Sequence, residues 1–235
     1  MKKNVILLAV AMLLMVGCKQ KQEAESIIGR PSVSVGDGHF TPELMWKLGK
    51  MGEFDVSPDG ARIAFTTTYY DMEQNKGNAE LYVMPANGES SPIRLTNTSQ
   101  NEFNPVWLNP YTLLFARGND IVSIDIENKT EKVMATVENG LEGFKISPDG
   151  TQIIFISDLP VKRPGHIDSL FAGLSQTTGR INEDLMYRHW DSWVDEYPHI
   201  FLAAINNGLV NVDKAVDIIG AEAFECPMRP WGGVE

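Results

Sequence analysis

The residues best equipped for chemistry sit in NEDLMYRHWDSWVDEY, residues 182–197. Arg188, His189, Trp190, Asp191 and Trp193 set a guanidinium, an imidazole, a carboxylate and two indoles close together. That mixture suits recognition of a peptide. A carboxylate, from Asp191 or from Asp195 or Glu196 beyond it, can pair an ammonium terminus while an indole face covers the apolar remainder. The same residues also fit a plainer role, in which both indoles anchor the segment to its scaffold and the charges face water.

Bond-breaking chemistry is harder to find. A serine nucleophile at a strand-to-helix elbow needs glycine on both sides, G-x-S-x-G, because the strained turn leaves no room for side chains. The nearest stretches, GESSP at 88–92 and GLSQT at 173–177, each lack the second glycine. Ser57 and Ser147 fall inside Ser-Pro-Asp-Gly turns and read as turn residues. His39, His166, His189 and His199 show no metal-ligand spacing, Cys18 and Cys226 cannot make a structural zinc site alone, and no glycine-rich phosphate loop occurs. No catalytic residue, no metal and no cofactor is therefore expected from these residues.

The elements that must carry these residues announce themselves by repetition. VSPDGARIAF at 56–65 and ISPDGTQIIF at 146–155 are nearly the same ten residues, and each follows a related lead-in, GEFDV at 52–56 and EGFKI at 142–146. Proline presets the second turn position, aspartate tolerates the third, and glycine takes the positive φ that reverses the chain. A degenerate copy, NEFNPVWLNPYTLLFAR at 101–117, lies between them, so the repeat length is about 45 residues, the period of four-stranded propeller blades. Further hairpins turn at Asn87-Gly88 and near Asn128-Lys129. The expected fold is all-β: a partial β-propeller of about four WD40-like blades over residues 40–235. A sandwich using two Asp-Gly hairpins is the competing architecture.

An insertion over about 159–197 breaks that rhythm, with Pro160, Pro164, Gly165, Gly173 and Gly179 along its first part. A helix is expected near 182–197. Asn182 can cap it, Glu183 and Asp184 suit its first turn, and Leu185, His189, Trp190 and Trp193 recur at helical spacing.

The first eighteen residues read as a targeting segment, a signal helix with Lys2 and Lys3 ahead of an apolar stretch from Val5 to Val16. Met15-Val16-Gly17-Cys18 resembles a bacterial lipobox, which makes Cys18 the lipid attachment residue and 19–39 a tether. An ordinary signal peptide or a short hydrophobic anchor is the alternative. The expected location is the bacterial cell envelope, periplasm or outer membrane, held through the lipid. With Cys18 lipidated, Cys226 has no partner for an intrachain disulfide. A formal charge of −11 argues against nucleic acid as a partner.

FTPELMWKLGKMGEFDVSPDGARIAF, KGNAELYVMPANG and EDLMYRHWDSWVDEYPHIF together resemble the N-terminal propeller of the prolyl oligopeptidase family of serine peptidases. The bacterial dipeptidyl aminopeptidases related to acylaminoacyl peptidase are the branch most alike. The resemblance covers roughly residues 40 to 235. It implies a seven- or eight-bladed propeller capping an α/β-hydrolase domain that supplies Ser, Asp and His later in the chain. The propeller restricts access to short peptides and helps recognise the substrate N-terminus, so Arg188, His189, Trp190, Asp191 and Trp193 become candidates for the substrate-facing insertion. On this reading the chain is a propeller fragment, inactive alone, whose partners are an oligopeptide substrate and the absent hydrolase domain. The Ser-Pro-Asp-Gly turns by themselves are shared with TolB-like propellers, which leaves a non-catalytic lipoprotein binding a protein or peptide as the alternative function.

Overall fold

The computed structural model describes residues 27–160 and 196–226 apart from 37 and 223, together with residue 173. Among the described residues, three antiparallel sheets follow one another. The first joins β1 (Lys50–Val56), β2 (Arg62–Asp71), β3 (Lys76–Pro85) and β4 (Ile93–Arg94) in sequence order. The second does the same with β5 (Glu102–Asn109), β6 (Thr112–Arg117), β7 (Asp120–Asp125) and β8 (Glu131–Thr136). The third comprises β9 (Gly143–Ile146), β10 (Gln152–Pro160), β11 (Glu196–Asn206) and β12 (Leu209–Val210). There β13 (Val216–Asp217) pairs with β11 as well, so the outer strand is two short pieces separated by a 3-10 turn, Val212–Lys214. A short helix, α1 (Pro42–Lys47), precedes the first sheet, its N-terminus capped by the Thr41 hydroxyl, which accepts from the Leu44 amide at 3.2 Å.

The repeated decapeptide builds the same turn twice. Ser57 Oγ donates to Asp59 Oδ1 at 2.5 Å and accepts from the Arg62 amide at 2.9 Å. Ser147 Oγ donates to Asp149 at 2.5 Å and accepts from the Gln152 amide at 3.0 Å. Gly60 and Gly150 share a φ of 69°, a left-handed value that costs a β-carbon. Ser57 and Ser147 are turn residues, as their sequence context predicts. In the middle repeat Asn109 takes over, its Oδ1 accepting from the amides of Tyr111 and Thr112.

Each sheet is a blade packed face to face on the next. Ala64, Leu81, Val83 and Leu95 of the first meet Trp107, Leu113, Phe115, Val122 and Ile124 of the second. Leu114, Ala116, Ile121 and Met134 of the second meet Phe144, Ile153, Phe155 and Ala203 of the third. One strand therefore sends alternate residues, Leu113 and Phe115 against Leu114 and Ala116, into opposite seams, and all four are fully buried. The opening strands gather on one side, β1 beside β5 and β5 beside β9, as blades arranged about a common axis require.

The described residues hold three blades of the expected partial propeller. One expectation shifts: the insertion bounds, 159–197, tighten by two residues at each end. Leu159 pairs with Tyr197 and Pro160 with Glu196, so both flanks are strand. Glu196 and Tyr197 are thus not helical: ladder pairing with β10 fixes them. Residues 182–195, the rest of the expected helix, lie outside the described residues.

Candidate functional site

The sequence points to the insertion, and the structure describes its stem. Arg188, His189, Trp190, Asp191 and Trp193 lie outside the described residues, as does Cys18 with the whole targeting segment. What carries them is the nine-residue ladder between β10 and β11, from Gln152↔Ala204 to Pro160↔Glu196. At mid-ladder Phe155 stacks on Phe201 with ring centres 5.4 Å apart, which locks the two strands in register on the blade-two side.

Two residues further toward the stem, Ser157 lies opposite His199, and both are buried. His199 Nδ1 and Asp217 Oδ2 are 2.9 Å apart, so β13 is clipped to β11. Asp217 Oδ1 accepts from the amides of Ile219 and Gly220. Burial opposes the charge on Asp217, but the His199 hydrogen bond and those two amides outweigh it and hold the carboxyl below its usual range. A serine, a histidine and an aspartate thus share one face of a blade. They do not form a nucleophilic triad, since His199 Nε2 has no hydrogen-bond partner and the ring is 3% exposed. The group is a clamp at the base of the insertion. Histidine spacing alone could not find it, because Asp217 comes eighteen positions later on a two-residue strand.

Clefts open both beside this scaffold and on blade one. One, about 280 Å³, opens at the seam of blades two and three between Val137, Glu138, Ser157, Leu159, Phe201 and Asp213. A larger one, about 830 Å³, runs between the segment before α1 and the β2–β3 hairpin. Trp46 and Tyr70, edge to face with centres 5.2 Å apart, form one wall, and Glu43, Lys47 and Glu73 line it as well. Among the described residues no group of three or more His, Cys, Asp or Glu side chains is placed to hold a metal ion.

The propeller-like arrangement now meets known proteins. No family model matches the chain. Dipeptidyl-peptidase 5 of Porphyromonas gingivalis is 34% identical over 222 residues, 90% of this chain and 32% of that protein. Dipeptidyl-peptidase 5 of Porphyromonas endodontalis is 28% identical over 196 residues, 81% of this chain and 28% of that protein. Over most of its length the chain is thus similar to two proteins named dipeptidyl-peptidase 5, without a match to either as a whole. It spans about a third of the length of the curated relatives it matches. Among solved structures, an acylaminoacyl peptidase in complex with Z-Gly-Gly-Phe-chloromethyl ketone aligns with a TM-score of 0.51 at 12% identity, over 71% of this chain and 25% of that one. The AtxE2 isopeptidase with astexin bound gives 0.51 at 13% identity, over 73% and 31%. These two likenesses concern the fold alone.

Proposed function

We propose that this chain is the propeller portion of an exported, lipid-anchored serine aminopeptidase of the dipeptidyl- or acylaminoacyl-peptidase kind, gating and helping to bind oligopeptide substrates. The α/β-hydrolase domain that performs the cleavage lies outside these residues. The single observation that carries the peptidase reading is the 34% identity to a dipeptidyl-peptidase across nine-tenths of the chain. The blade architecture supports the assignment of these residues to the propeller, and residues 1–18 support export and lipidation at Cys18. In this reading β10 and β11 bracket the insertion, and Arg188, His189, Trp190, Asp191 and Trp193 are its candidate substrate-binding residues.

The test joins residues 19–235 to the sequence encoded directly downstream and compares the product with 19–235 alone. The joined protein is expected to react with a fluorophosphonate serine probe and to release dipeptides from a free oligopeptide N-terminus, while the shorter chain does neither. Stoichiometric labelling of the shorter chain, or a downstream sequence with no G-x-S-x-G, overturns the proposal; the latter leaves a non-catalytic binding propeller.

A further inference from the structure

Two buried carboxyls meet at the seam between the first two blades. Glu80 in β3 is 1% exposed and Glu102 at the head of β5 is fully buried. Arg94 of β4 gives its Nη2 to Glu80 Oε1 at 2.6 Å and its Nε to the Thr96 carbonyl. Arg117 of β6 gives its Nε to Glu102 Oε1 at 2.7 Å and both Nη groups to Glu131 of β8. Burial works against the charge on Arg117, but the hydrogen bonds to Glu131 and Glu102 keep it firmly protonated. Three carboxylates therefore share two guanidiniums. Other charges belong to the same surroundings: Lys129, in the β7–β8 turn, gives its Nζ to the Arg94 carbonyl at 2.9 Å, Asp120 of β7, opposite Arg117 in register, takes the Thr136 hydroxyl, and Arg30, ahead of α1, acts on Tyr82.

The hydrogen bonds tell the same story. Glu102 Oε1 already accepts from Arg117 and from the Thr98 hydroxyl at 2.8 Å, whereas Oε2 has only Thr96 Oγ1, at 3.3 Å. Glu80 Oε2 is buried with no partner at all. Glu102, fully buried and with a single long hydrogen bond on Oε2, shares the Thr98 bridge with the equally buried Glu80, and a proton on Oε2 relieves the repulsion between the two carboxyls.

We propose that this seam is a proton-operated latch: Glu102 carries a proton on Oε2 when the blades are closed, and its loss to solvent loosens blade one from blade two. The threonines transmit the change. Thr96 accepts from the Leu81 amide and Thr98 gives its amide to Glu80, so both tie Glu102 to β3 of blade one. Ionised Glu102 sets a second full charge against Glu80 across those bridges. Burial, and then the neighbouring Glu80, push the Glu102 carboxyl up to about 7, which supports the placement.

The sign follows directly. A carboxyl that binds its proton more tightly folded than unfolded stabilises the fold at low pH, and that contribution is lost as pH rises from the ordinary carboxyl range through about 7. In the full chain, the folding equilibrium constant is expected to fall by up to about tenfold per pH unit between pH 5 and 7 relative to Glu102→Gln, which is fixed in the neutral form. Hydrogen exchange adds a spatial readout. Protection of the Leu81 and Thr98 amides, corrected for intrinsic exchange, is expected to drop across neutrality while that of Phe144 at the other seam holds. Carboxyl carbon NMR of Glu102 in the unaltered chain reads the titration without any substitution, so the question is decided even if the variant fails to fold. A Glu102 midpoint in the usual carboxyl range, parallel pH profiles for the two proteins, or equal loss of protection at both seams would each overturn the latch.

Discussion

Single residues in this protein gain their importance from what they leave unpaired when removed. Ser57 is buried, and its hydroxyl both accepts from the Arg62 amide and donates to Asp59; Ser147 makes the matching bonds while half-exposed. Burial decides the cost, because only a buried amide is stranded without water. Ser57→Ala should therefore lose about 1–2 kcal/mol and Ser147→Ala clearly less, as read by urea unfolding; equal losses would mean that the turn, not its burial, sets the penalty. Asp217 is the acidic counterpart. Its carboxyl is held below the usual range, so its contribution is present above the ordinary aspartate value and disappears as pH falls through the folded one. Asp217→Ala, which strands buried His199 Nδ1, should cost about 2 kcal/mol or more near neutrality, and the gap to the unaltered chain should close in strong acid.

Elements are joined across the seams by a few residues whose backbone departs from regular strand. Asn104 sits in β5 at φ 52°, inside a break of register between Phe103 and Val106. That bulge turns its amide toward the Glu53 carboxylate of β1 and its side chain toward β9, where it both donates to the Phe144 carbonyl and accepts from the Phe144 amide at 3.0 Å. One residue thereby touches three blades. Asn104→Ala loses two seam hydrogen bonds and forces alanine into a left-handed conformation, about 2–3 kcal/mol together; Asn104→Gly should recover the conformational part but not the bonds. A Gly variant no more stable than Ala would remove the backbone from this account. The sequence made the strands and hairpins legible, since Pro-Asp-Gly turns and strand alternation are local signals. It did not reveal the bulge, because Asn-Pro at 104–105 reads equally well as an ordinary loop signal. Nor did it reveal the latch: polar residues in strands, such as Glu80 and Glu102, read as solvent-facing until a neighbouring blade covers them.

At the scale of the whole molecule, the first and third blades each pack on the second, and each also presents a surface that a ring of blades would cover. On blade three, Ile154 pairs with Leu202 on the face turned away from blade two, with Ile154 39% exposed; Val216 and Ile218 are exposed at its outer edge. On blade one, Met51 and Phe54 of β1 are 70% and 65% exposed. Apolar strips of this kind on sheet faces and edges drive association, and two dissimilar strips on opposite sides of one molecule join head to tail rather than closing as a pair. Residues 19–235 alone are thus expected to sediment at micromolar concentration as a ladder of species heavier than the monomer, with the average mass rising with concentration. Ile154→Lys should cap one end and shift the distribution to smaller species without lowering the unfolding midpoint, because the residue is exposed and makes no seam contact with blade two. A chain that stays monomeric at every concentration, or a closed dimer untouched by Ile154→Lys, would show that these surfaces are satisfied within the molecule itself.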